Sequence, residues 1–397
     1  GIATAVIALL LFLGTPFLGI EFGLPDDRVM PSSNPARAAL DDVRDGFSSN
    51  ESMPVQVIAT GIGDPNARAA DIDAYAAALS AVPDVVRVDA LTGFYIGGAK
   101  AAEPLPLSAR HASDDGTWFN VVFDVEPMST EATDLVAAVR DIDAPFDVQV
   151  GGATAELVDA KSSLFGLLPV ALLLIAAVTF VVLFLMFGSV LVPAKALVLN
   201  LLSLTATFGA MVWIFQEGHL SGLLDFTPTG LLDSTSPILM FCIAFGLSMD
   251  YEVFLLSRIK EEHDRGRDTV GSVAIGLEHT GRLVTAAAAL IAVVFLSFAT
   301  SEITFIKLFG IGLALAVVLD ATVIRATLVP AFMRLAGEAN WWAPPTLRRI
   351  HERFGFSEGE SIDVTDDVLA RAAVSEVDLS QFDLETERAI RRGELVG

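Results

Sequence analysis

The sequence predicts an α-helical membrane protein: six transmembrane helices with one large α+β domain inserted outside the membrane. Hydrophobic residues make up 53% of the 397 residues and the mean hydropathy is +0.59, values too high for an ordinary soluble protein. Six apolar stretches are long enough to cross a bilayer, which takes about 20 residues each. A long polar region, residues 21–163, separates the first stretch from the second. These observations predict a domain inserted into a bundle of spans.

The predicted spans differ in length. The fifth is short, whereas the sixth is long enough to tilt or to leave the membrane at its end. The six spans are residues 2–20, 164–187, 190–215, 235–256, 283–299 and 305–335. We therefore divide the chain into a first span (1–20), an outer domain (21–163), a five-helix bundle (164–335), a membrane-proximal segment (336–356) and an acidic tail (357–397), which we predict to be disordered because it has little to bury.

The short loops differ in their basic residues. Five Lys or Arg lie between the fourth and fifth spans, and four Arg lie between the end of the sixth span and residue 353. The loops 216–234 and 300–304 contain none. Lys and Arg are enriched in cytoplasmic loops. We therefore predict that Gly1 and the C-terminal segment are cytoplasmic and that residues 21–163 are extracytoplasmic.

The outer domain alternates between strand-like and helix-like patterns. Strands are predicted at residues 55–60, 85–91, 118–125 and 148–151, and helices at 66–82 and 130–142. The order strand–helix–strand, strand–helix–strand is typical of a split βαβ, ferredoxin-like unit.

Charge and motif content exclude several classes of function. The formal net charge is −24, and the outer region and the tail are both strongly acidic, which argues against a nucleic-acid partner. The single cysteine, Cys242, permits no disulfide within the chain. The sequence contains no phosphate-binding GxxxxGK[ST] motif, no nucleophile elbow and no metal-ligand spacing. We expect neither a cofactor nor an enzymatic activity.

Two adjacent residues of the fourth span, Asp250 and Tyr251, are the first candidates for chemistry. Asp250 lies about 20 Å along the helix from Pro237, at ~1.5 Å per residue, and so within the hydrocarbon. A carboxylate there costs about 2.5–3.5 kcal/mol or more and usually faces the bundle interior with a functional role. We predict that Asp250 accepts a proton and that Tyr251 hydrogen-bonds a carboxylate on an adjacent helix. A static interhelical hydrogen bond is the alternative.

Asp320 in the sixth span is the second intramembrane carboxylate. It either pairs structurally with a neighbouring helix or belongs to the proton path. Arg325 follows five residues later, a spacing that does not share a face of an α-helix. We therefore predict that Arg325 lies at the inner membrane surface, Lys307 at the outer one, and that Glu252 points to water or headgroups.

The same residues resemble a known family. Residues 246–258, GLSMDYEVFLLSR, are similar to the fourth-helix signature of the MmpL family, actinobacterial members of the RND superfamily. The resemblance extends to GLPDDR at 23–28, GR at 281–282, LDATV at 319–323 and NWWAP at 340–344, and leaves out roughly the last forty residues.

The resemblance implies a proton-driven exporter of lipids or glycolipids, such as trehalose mycolates, in a bacterial inner membrane. Such transporters have two six-helix halves, each with a porter domain after its first helix. The WWAP run resembles the second half, in which Asp250 and Tyr251 match an Asp-Tyr pair that meets a reciprocal pair from the first half. The implied partners are a lipid substrate, protons, and the N-terminal half or a second copy. A drug or siderophore pump of the same fold and a non-transporting scaffold or lipid sensor are the alternatives.

Overall fold

The computed structural model describes residues 1–47 and 49–355, so the prediction for the acidic tail lies outside the described residues. The helices are α1 Ile2–Gly14, α2 Pro35–Gly46, α3 Ala69–Ser80, α4 Thr130–Arg140, α5 Ala153–Phe187, α6 Leu191–Met211, α7 Ser221–Leu224, α8 Ser236–Asp264, α9 Thr269–Ser297, α10 Thr304–Leu319, α11 Val329–Ala336 and α12 Pro345–Phe354. The strands are β1 Phe22–Gly23, β2 Val55–Thr60, β3 Val85–Ala90, β4 Gly93–Ile96, β5 Ala99–Ala102, β6 Ala112–Ser113, β7 Gly116–Phe123, β8 Val148–Gly151 and β9 Leu232–Asp233.

Within the described residues, six helical segments are long and apolar enough to cross a membrane, as the sequence predicts. The second, α5, begins eleven residues before the predicted span and so extends out of the apolar region toward the outer domain. The third span ends in a turn of π-helix, Val212–Gln216, and the sixth contains the π-helix Asp320–Leu328 between α10 and α11. These spans are Ile2–Gly19, Ala153–Phe187, Leu191–Gln216, Ser236–Asp264, Thr269–Thr300 and Thr304–Trp341.

The inserted region contains an antiparallel sheet in the order β5-β4-β3-β7-β2-β8. In β2 the alternate residues Val55, Val57 and Ala59 are buried, which is the period of a strand with one covered face. Ile72 of α3 and Val136 of α4 pack in the same core as the inward residues of β2. The region thus contains the predicted succession β2-α3-β3 and β7-α4-β8.

A short pair of strands and a hydrogen bond attach this region to the segment between the third and fourth spans. β1, just after the first span, pairs in parallel with β9, just before α8. The Arg28 side chain bridges Asp26 and Glu126 at 2.5 and 2.7 Å. Arg37 is buried and donates a hydrogen bond to Thr227 in the loop between α7 and β9, at 2.8 Å. The inserted region is therefore attached to the segment that connects the third span to the fourth.

Glycines allow the first and third spans to pack closely. A Cβ added at Gly209 of α6 would lie 2.1 Å from the Leu13 carbonyl oxygen of α1. A Cβ at Gly14 would lie 2.9 Å from the Thr205 methyl group. Small residues at such crossings let helix backbones approach in a membrane, where packing rather than hydrophobicity drives association.

Candidate functional site

A buried ion pair lies at the end of α10, where the last span widens into its π-helix. The Arg325 guanidinium is 2.5 Å from the Asp320 carboxylate, and both residues are buried. Backbone hydrogen bonds of a π-helix run between residues i and i+5, so side chains five apart share a face. The prediction that Arg325 reaches the inner membrane surface was therefore wrong, because the α-helical spacing that gave it no reason to meet Asp320 does not hold in the π-helix.

This ion pair is fastened to one turn of α8. The Ser248 hydroxyl donates to the Asp320 carboxylate at 2.7 Å, and Arg325 donates to the Ser248 backbone carbonyl. The guanidinium also lies 5.1 Å from the centroid of the Tyr251 ring, within cation–π range. A cavity of about 10 Å³, close to the space that one water molecule needs, is lined by Ser248, Tyr251 and Asp320 among other residues. The fold thus brings Tyr251 and Asp320 together.

Asp250 precedes Tyr251 but faces away from the ion pair. The buried face of α8 carries Ser248, Glu252 and Leu255, which are three to four residues apart. Asp250 precedes Glu252 by two residues, slightly more than half a helical turn, so it lies on nearly the opposite face of α8 and is exposed. The sequence predicts a carboxylate facing the bundle interior, whereas in this chain the side chain lies on the bundle's outer surface.

Glu252 and Lys195 form a second buried polar region that the sequence interpretation missed. Both residues are buried, and neither the Glu252 Oε1 atom nor the Lys195 ammonium has a hydrogen-bond partner among the described residues. The same is true of both polar atoms of the Asn200 amide. The prediction that Glu252 points to water was wrong, because Glu252 follows Ser248 by four residues and shares its buried face. Lys195 is the one charged residue of the predicted third span, and that signal alone marks it as a candidate.

Lys307 is buried near the start of α10, so the prediction that its side chain reaches the lipid headgroups was wrong. Its ammonium donates to the backbone carbonyls of Leu224 and Asp225, at 2.5 and 2.6 Å. These carbonyls lie at the C-terminal end of α7, where a helix presents acceptors without partners and partial negative charge. The Lys307 ammonium thus binds backbone carbonyls of the protein instead of extending to the lipid headgroups.

The chain is similar in sequence to a family of known proteins. Residues 28–362 match the model of the MMPL family. A putative membrane protein of Streptomyces coelicolor is 40% identical over 357 residues, which are 90% of this chain and 46% of that protein. The trehalose monomycolate exporter MmpL3 of Mycobacterium tuberculosis is 34% identical over 90% of this chain and 37% of its own length.

A third relative is the mycolic acid-containing lipids exporter MmpL11 of Mycolicibacterium smegmatis. It is 31% identical over 97% of this chain and 39% of its own length. The chain therefore spans less than half the length of these curated relatives. With most of its length covered by the family model, and with six candidate spans around the residues just described, this chain belongs to the MMPL family of multi-pass membrane proteins.

Proposed function

We propose that this chain forms one half of a proton-driven exporter of lipids or glycolipids, and that protonation of Asp250 drives it. The observation that carries the proposal is the arrangement along one turn of α8. The Asp250 carboxylate lies within a span and on the outer face of the bundle. The ring of the next residue, Tyr251, contacts the buried Arg325 guanidinium on the inner side. The printed names of MmpL3 and MmpL11 as lipid exporters support the substrate class.

The exposed side of Asp250 suits a contact with a second six-helix bundle. A lone carboxylate facing hydrocarbon is costly, and an opposing polar helix removes that cost. Coverage of less than half of each relative's length supports a partner half, either the N-terminal half of the same transporter or a second copy of the chain. Proton binding would neutralise Asp250 and weaken its polar attachment across this contact, so that the two bundles shift.

Tyr251 and Asp320 serve as positioning residues in this scheme. One oxygen of the Asp320 carboxylate forms the ion pair with Arg325, and the other accepts a hydrogen bond from the Ser248 hydroxyl, so both oxygens are already engaged. Its role is to keep the guanidinium under the Tyr251 ring. Tyr251 then holds a fixed orientation from which its hydroxyl can meet a carboxylate of the opposing bundle.

The inserted region would act as the porter domain, outside the cytoplasm. Its strands β8-β2-β7-β3 follow the sheet order of a ferredoxin-like unit, and the absence of Lys and Arg from loops 216–234 and 300–304 supports an extracytoplasmic position. A lipid cavity built on this sheet would be mostly apolar.

The test replaces Asp250 by Asn in the assembled transporter, reconstituted into liposomes with an imposed proton gradient. Asp264→Asn is the matched control, because it makes the same change on the same helix at an exposed residue. We expect Asp250→Asn to insert and fold normally but to lose gradient-dependent lipid export, while Asp264→Asn keeps it. Full export by Asp250→Asn would eliminate the mechanism. Export of a small polar drug instead of lipid would leave the proton step intact and overturn the substrate class.

A further inference from the structure

The helix α12 follows the last span at the end of the bundle where α8 ends and α9 begins. Two contacts establish this position. The Glu338 carboxylate accepts a hydrogen bond from Thr269 at 2.7 Å, and the Lys260 ammonium lies 5.2 Å from the centroid of the Trp341 ring. The chain therefore leaves the sixth span beside the loop between α8 and α9, and α12 begins from there.

One face of α12 is fixed against the end of a span. The His351 ring packs edge-on against Phe184 of α5, with 6.2 Å between ring centroids. It also fills the space beside Gly188, where an added Cβ would come within 2.7 Å of the ring. Just before α12, the Val190 amide donates to the Trp342 carbonyl at 3.2 Å. These contacts hold the helix at the level where α5 ends and α6 begins.

Three large apolar side chains remain uncovered at this level. Trp342, Ile350 and Phe354 are 59%, 44% and 62% exposed. Ile350 and Phe354 are four residues apart and thus share a face of α12. The described residues leave much of each side chain uncovered, although each is large enough to favour burial strongly.

Positive charge accompanies the apolar face. Three exposed arginines and one glutamate give α12 a net charge of +2 with His351 neutral: Arg348, Arg349, Arg353 and Glu352. The Arg353 guanidinium lies 5.3 Å from the Phe354 ring centroid, so a positive charge and an exposed apolar ring lie side by side on α12. The ion pair of Arg348 with Glu352 is exposed at both ends and holds Arg348 only weakly.

We propose that α12, together with Trp342, is an interfacial anchor that binds the anionic phospholipid headgroups of the leaflet at this end of the bundle. A helix with an apolar face and basic residues lies in the headgroup region, with its apolar side chains in the acyl boundary and its cations on lipid phosphates. Trp is also favoured at that depth. The contacts with α5 hold α12 at the end of the membrane spans, where the lipid headgroups would lie. The net positive charge of α12 is opposite to the charge of anionic lipid.

The first experiment measures depth on the two faces of α12. A nitroxide label is attached at Ile350→Cys or, as matched control, at Glu352→Cys in the full chain, with the exposed Cys242 replaced by Ser. In nanodiscs containing phosphatidylglycerol, we expect the label at 350 to be relaxed by oxygen and shielded from a water-soluble nickel chelate. The label at 352 should behave in the opposite way. Equal nickel accessibility at both positions would overturn the anchor.

The second experiment tests the choice of anionic lipid. Removing phosphatidylglycerol in favour of phosphatidylcholine should raise nickel accessibility at position 350 severalfold in the parent chain. The variant with Arg348, Arg349 and Arg353 replaced by Gln should show high accessibility in both lipids, while its folding stays normal because these side chains are exposed. No response to lipid charge in the parent, or the same response in the variant, would overturn headgroup binding.

The competing occupant is the acidic tail of the chain itself, residues 357–397. A chain ending at Gly355 should keep the shielding at position 350 if lipid covers α12. Loss of shielding on this truncation would assign the surface to the tail and reject the lipid anchor.

Discussion

Arg325 and Asp320 form a 2.5 Å ion pair inside the helix bundle although they are five residues apart in one continuous helical segment. The π-helix makes this pairing possible, and Ser248 and Tyr251 of the neighbouring α8 complete its surroundings. Because Arg325 contacts both Asp320 and the Tyr251 ring, a change that weakens the ion pair should also change the orientation of Tyr251.

Breaking one side of this pair should destabilise the protein more than removing both. Asp320→Leu leaves a buried guanidinium without its counter-ion, and we expect a loss of about 3–5 kcal/mol in the free energy of unfolding. The double variant Asp320→Leu with Arg325→Met should recover most of it. Unfolding of the chain in mixed micelles measures both values. A double variant less stable than the single one would show that the pair contributes net stability.

Tyr251→Phe should impair export only mildly. The ring that contacts Arg325 remains, and a neutral hydrogen bond contributes about 0.5–1.5 kcal/mol, so we expect a loss of roughly tenfold or less. Tyr251→Leu also removes the cation–π contact and should cost more. Export rates in liposomes give the comparison. If Tyr251→Phe is as inactive as Asp250→Asn, the hydroxyl itself carries the proton.

Gly209→Ala should disrupt the packing of α1 on α6. The added Cβ would lie 2.1 Å from the Leu13 carbonyl oxygen, so the helices must separate. Gly166→Ala is the matched control, since a Cβ there meets nothing within 4 Å and Ala favours a helix by roughly 1 kcal/mol. Thermal unfolding in detergent should show a lower midpoint for Gly209→Ala alone. Equal midpoints would contradict the close helix contact.

Acidification should destabilise the outer domain through His111. This residue is buried against Trp118, and burial lowers the pKa of His111 below its ordinary value of 6.5. The unfolded chain therefore binds the proton first, so stability falls as pH drops through 6.5 and down to the folded value. Thermal unfolding at neutral and mildly acidic pH measures the loss, which His111→Gln should reduce. An unchanged loss in that variant would assign the effect to other groups.

Labelling with an impermeant thiol reagent should establish the orientation. With Cys242 replaced by Ser, a cysteine at Asp64 should react in intact cells, whereas one at Arg267 should react only after permeabilisation. The reason is the excess of Lys and Arg in residues 258–282, which contain the end of α8, the start of α9 and the loop between them. The reverse pattern would invert the topology.

The sequence determined the features that depend on local composition and period. Six apolar stretches of sufficient length identified the spans, because backbone groups in lipid must be satisfied within a helix. The alternating pattern of residues 55–60 predicted a half-buried strand, and β2 indeed buries Val55, Val57 and Ala59. Asp250 and Tyr251 were found because a carboxylate is rare and costly within a span.

The contacts among the charged residues depend on how distant segments fold together. The pairing of Arg325 with Asp320 required a local change of helical pitch, and the burial of Glu252 depended on which face of α8 the other helices cover. The Lys307 ammonium donates to backbone carbonyls that are more than eighty residues away in the sequence. Sequence spacing fixes the face on which a side chain lies only for a regular helix, and it contains no information about the partner that a distant segment brings to that face.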